Sequence, residues 1–77
     1  MTNPQCQMSK SGILGNLDKG MLSEKRALDL CRDLLPLVDN QEDKDDLTKI
    51  MADESKHIAI TQKLINIVKT DYNGPEE

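Results

Sequence analysis

"LTKIMADESKHIAITQKLINIV", residues 47–68, decides how this chain folds. At about 100° per residue, Leu47, Met51, Ile58, Ile65 and Val68 form one apolar strip, and Ile50, Ile60, Leu64 and Ile67 widen it on one side. Lys49, Lys56, Lys63 and Asn66 take the opposite face. The period is that of an amphipathic helix, not of a strand. Within its apolar side lie two residues that prefer water. Glu54 falls inside the first strip, and His57, the only histidine of the chain, falls between the two groups. Both point at whatever the helix packs against, and burial of such groups is costly unless a partner satisfies them.

Working outward, the spacing predicts this helix over about residues 43–71. A second helix is predicted over about 22–38, where Ala27, Leu28, Cys31, Leu34, Leu35 and Val38 share a face flanked by Leu30 and Leu37. The link "DNQED" is rich in helix-starting residues, and either Asn40 or Asp43 can cap the second helix through its side-chain oxygen. The run "EDKDD", 42–46, reads as a solvated helix start in which negative charge meets the helix dipole. It lacks the Asp and Gly spacing of a calcium loop. Pro36 either kinks the first helix or ends it near Leu35, because an interior proline costs about 3 kcal/mol. Residues 1–21, with Pro, Gly, Ser and Asn and no sustained period, are expected to be flexible, as is the tail 72–77. The fold class is therefore all-α: an antiparallel two-helix hairpin. One hairpin cannot cover broad apolar faces on both helices, so two are expected to pair into a four-helix bundle.

Composition narrows the function classes. Ten basic residues are scattered among fourteen acidic ones for a net charge of −4, and there is no Trp or Phe and one Tyr. A nucleic-acid partner would call for a basic stripe and stacking aromatics. No apolar run approaches the roughly 18 residues that span a bilayer. Cys6 and Cys31 are too few for a disulfide framework, which points to a reducing cytoplasm. Cys31 reads as a small buried hydrophobe and Cys6 as incidental.

The chemistry lies in Glu54-x-x-His57. One helical turn apart, a carboxylate and an imidazole can bind one metal ion, and the mixed oxygen and nitrogen donors suit iron, manganese or zinc. A third ligand is available in Glu24. It lies roughly 24 Å from a turn at Asn40, and His57 roughly 21 Å from a helix start at Asp43, so a hairpin brings them level. An ordinary explanation competes: if Ser23 caps the first helix, Glu24 is a first-turn acid favoured by the dipole. Asp53, beside the apolar face, is a candidate to orient His57 from outside the ligand set.

Doubling the hairpin about a two-fold axis gives four glutamates and two histidines, the ligand inventory of di-iron carboxylate bundles. "SEKRALDLCRDLL…LTKIMADESKHIAITQKLI" resembles the half-repeat of the ferritin-like and rubrerythrin superfamily, and in size and design the encapsulated ferritins. The thirty-residue interval from Glu24 to Glu54, followed by His57, carries the resemblance. It implies a ferritin-like dimer with a di-iron site, Glu54 bridging and Glu24 and His57 terminal, that oxidises Fe(II) with O₂ in iron storage or detoxification. The aromatic residues such proteins often place two turns after the first glutamate are replaced by Leu30 and Cys31, and Tyr72 lies beyond the core. A second resemblance is that of "ILGNLDK", within 12–19, to peptides that dock cargo into encapsulin shells; it implies a shell partner and a protein nanocompartment. The rival reading is a non-catalytic helical hairpin, an adaptor or regulator that dimerises through its aliphatic faces.

Overall fold

The structure, a computed structural model, describes residues 9–76. Helix α1 spans Lys10–Leu34, a single 3-10 turn follows over Leu35–Leu37, and helix α2 spans Gln41–Asp71. The two helices run antiparallel as a slender hairpin of 53 × 26 × 17 Å. Its length is that of α2, whose 31 residues at about 1.5 Å each span about 46 Å.

The turn settles the role of Pro36. Helix α1 stops at Leu34, and Pro36 sits in the 3-10 turn, where its missing N–H costs no α-helical bond. It ends the helix and does not kink it. Asn40 then caps α2: its Oδ1 accepts from the amides of Glu42 at 2.8 Å and Asp43 at 3.3 Å. Glu42 and Asp43 add negative charge in the first turn. The cap is thus one of the two residues expected, and Asp43 is a residue that it serves.

The largest difference from the sequence reading is at the start of α1. The helix begins at Lys10, twelve residues before the expected Leu22, with Ser9 Oγ accepting from Gly12 N at 3.0 Å. Gly12, Gly15 and Gly20 each cost a helix about 1 kcal/mol relative to alanine, which is why the segment reads as broken. The periodic set Ile13, Leu14, Leu17 and Met21 offsets that cost. The first three are half-buried and Met21 is buried. Helical packing therefore continues along the C-terminal turns of α2. The candidate docking peptide at 12–19 is accordingly helical. Flexibility of residues 1–8, Cys6 among them, and of Glu77 lies outside the described residues.

The tail also differs from expectation. Pro75 O accepts from Lys10 N at 2.6 Å, and Glu76 O accepts from Ser11 N at 3.2 Å. Lys10 Nζ donates to Lys69 O at 3.0 Å. Residues 72–76 fold back over the start of α1 and satisfy two of the amides that a helix N-terminus leaves without partners.

The core is thin. Met21, Leu28, Cys31 and Ile65 are the buried apolar residues among those described. On α2 the apolar positions separate into two seams with the same alternating three- and four-residue spacing. The inner seam, Leu47, Met51, Glu54, Ile58, Thr61, Ile65 and Val68, is half-buried to buried beneath α1. The outer seam, Ile50, Asp53, His57, Ile60, Leu64 and Ile67, is exposed along its whole length. Helical geometry puts exposed Leu30 and Leu34 of α1 on the side of the hairpin that carries the outer seam. No helix among the described residues is long and apolar enough to cross a membrane.

Candidate metal centre

Glu24 lies mid-helix, fourteen residues beyond the start of α1. Ser23 is therefore not a cap, and the first-turn-acid explanation of Glu24 falls. On α2, Glu54 belongs to the inner seam and His57, three residues on, to the outer one. The hairpin register brings all three together. His57 Nδ1 lies 3.2 Å from Glu54 Oε1 and 3.8 Å from Glu24 Oε2. One ligand atom from each residue can be chosen such that all lie within 4.8 Å of one another.

Those separations suit one small cation. With bonds of about 2.1 Å, neighbouring donors around a four- or six-coordinate ion stand about 3.0–3.4 Å apart. The Glu54–His57 pair already meets that spacing at 3.2 Å, and Glu24 stands somewhat wider, 3.8 Å from His57. Two carboxylates carry enough negative charge to offset a divalent ion, and their hard oxygens with one imidazole form the donor set of iron, manganese and zinc sites.

Exposure divides the site. The side chains of Glu24 and Glu54 are 21% and 20% exposed, whereas His57 is 57% exposed. The carboxylates are held in the seam between the helices while the imidazole forms the outer wall. It faces inward through Nδ1, where the tautomer that carries the proton can donate to Glu54. Three protein donors leave the coordination sphere of any of these metals incomplete on the side of the outer seam.

One member of the constellation escaped sequence reasoning. Thr61 Oγ1 donates to Glu24 Oε1 at 2.8 Å. Thr61 follows Glu54 by seven residues on the inner seam, a spacing visible in the sequence once Glu54 is placed there. Asp53, the expected orienting residue, is exposed and makes no hydrogen bond or ion pair with His57. Cys31 is buried and free, two turns from Glu24 along α1 and outside the cluster.

No protein-family model matches the chain, and no curated protein and no solved structure matches it.

Proposed function

We propose that this chain is an iron-binding, ferritin-like protein whose carboxylate–histidine centre is completed when two hairpins pair into a four-helix bundle, and that the paired centre oxidises Fe(II) with O₂ in iron storage or detoxification. The observation that carries the reading is the convergence of Glu24, Glu54 and His57 from two helices at the edge of an uncovered apolar seam. Either feature alone is common. Together they support a reading in which half of a ligand set lies beside the surface on which a second copy docks.

A two-fold axis running beside His57 supplies the remaining donors. It sets two half-sites face to face, giving four carboxylates and two imidazoles for two iron ions. Glu24, Glu54 and His57 of each chain would hold the iron, with Glu54 the residue that would be shared between the two ions. Two Fe(II) ions would give one electron each to O₂, which with two protons would leave as H₂O₂, and the hard carboxylate oxygens would hold the Fe(III) formed. Pairing also covers Ile50, Ile60, Leu64 and Ile67, and each such side chain contributes about 1.5–3 kcal/mol when fully buried. Iron is the substrate in this reading. The residues hold it, balance its charge and exclude water from one side.

The test is iron content per chain after anaerobic loading with Fe(II) and desalting, measured by elemental mass spectrometry on wild type and His57→Ala. About one iron per chain, lost in the variant, is expected from a site shared by two chains. No retained iron in either protein would leave the rival reading, an aliphatic adaptor for which His57→Ala is close to neutral.

A further inference from the structure

Three threonines of α2 have hydroxyls whose bonds are defined, and they behave differently. Thr48 donates to Lys44 O and Thr70 to Asn66 O, each at 2.8 Å. This bond to the carbonyl four residues back is the usual local choice of a threonine within a helix. Thr61 has the corresponding carbonyl of His57 within its own helix, yet it reaches across the hairpin to Glu24 Oε1. The bond occupies one oxygen of a carboxylate whose other oxygen, Oε2, is the one nearest His57 Nδ1.

We infer that Thr61 is a positioning residue for the metal centre: its hydroxyl fixes the rotation of the Glu24 carboxylate so that Oε2 is the atom offered to the ion. This inference rests on the metal-binding reading of the site and adds a residue to it. A free glutamate samples several rotamers, and its side chain loses entropy when a metal holds it. In this hairpin the hydrogen bond orders the carboxylate in advance. A charge-assisted O–H···O⁻ bond in a partly buried seam is well suited to the task. The nearby groups agree with the assignment. Thr61 lies one turn beyond His57 and two beyond Glu54 on α2, and it takes Oε1 of Glu24 while His57 stands nearest Oε2. The inner seam has threonine here where the apolar pattern calls for leucine or isoleucine, and a hydroxyl at that position needs an acceptor.

The experiment compares wild type, Thr61→Val and Thr61→Ser as full chains titrated with Co(II) alone, whose visible bands report its coordination geometry. Affinity is read by competition with a chelator, and helicity by circular dichroism with the metal removed. Valine keeps the shape and removes the hydroxyl, whereas serine keeps the hydroxyl. Loss of an orienting partner of a metal ligand typically lowers affinity about 10- to 100-fold. That loss, with altered Co(II) bands, is expected for Thr61→Val, and wild-type affinity and bands for Thr61→Ser. A valine variant that binds Co(II) like wild type overturns the role of Thr61 and leaves the metal centre standing. Wild type that binds no Co(II) overturns both. Should the valine variant fail to fold, Thr61→Ala, which also lacks the hydroxyl, takes its place: weakened Co(II) binding with altered bands supports the inference, and wild-type binding overturns it.

Discussion

Leu47, Met51, Ile58, Ile65 and Val68 follow the same alternating spacing as Ile50, Ile60, Leu64 and Ile67, yet α1 covers the first set and leaves the second about half exposed. Ile65 is 5% exposed and Ile60, five residues earlier on the same helix, is 55% exposed. Hydrophobicity alone therefore does not determine burial in a molecule of two helices. A helix with one neighbour needs one apolar stripe. A helix in a four-helix bundle needs a broader face, because it meets two or more neighbours. The outer seam of α2 is surplus to the hairpin and suited to a bundle, and the polar residues on the two seams divide accordingly. Thr61, on the inner seam, bonds Glu24 of α1, and His57, on the outer seam, spans Glu54 and Glu24 with its side chain more than half exposed.

Substitution separates the two seams. Ile65→Asp places an unpaired charge in the thin core and is expected to cost at least about 3 kcal/mol, enough to abolish most of the helical signal in circular dichroism. Retained helicity would show that the inner seam is not the core. Ile60→Lys is the matched change outside. It is expected to leave a helical chain but to shift the mass seen by analytical ultracentrifugation from the dimer, or a larger ring, to the single chain. An unchanged mass would mean that copies meet on some other surface.

The contrast is also one of legibility. Two helices, the turn between them and the three candidate ligands can all be read from the sequence, because each rests on a periodic pattern or on side-chain chemistry. Glu24 is level with His57 because helical rise is nearly constant, so distances counted back from the turn are dependable. The start of α1 is harder to read. Three glycines in residues 12–20 mimic a broken segment, and their cost is offset by packing along α2, which local propensity does not register. The ordered tail is hidden for the same reason, since its partners are the amides of Lys10 and Ser11, some sixty residues away. Thr61 is not legible from the sequence, because threonine is an unremarkable residue for a helix surface until the register shows that Glu24 lies opposite. Asp53 shares the outer seam with His57, four residues on, yet makes no bond to its ring.

Smaller effects test the ends of the hairpin. Asn40→Ala removes the side-chain acceptor of two amides and should lower unfolding free energy by about 1 kcal/mol in urea titrations. No change would mean that water replaces the cap without loss. Gly20→Ala tests the early start of α1 from the opposite direction. The residue is exposed within the helix, and an added Cβ meets nothing within 4 Å. Alanine there should stabilise by about 0.5–1 kcal/mol, raising the thermal midpoint by a few degrees. A flat response would indicate that this stretch is not helical in solution.

The proposed centre takes its ligands from both helices of one chain and its other half from a partner on the outer seam, so metal and chain numbers are best counted in one particle. Native mass spectrometry of the Fe(II)-loaded chain does this. The account expects species that contain chains in pairs, with two irons for every two chains, and loss of iron and pairing together in Ile60→Lys. Iron carried by a single chain, or paired chains that retain none, would contradict it.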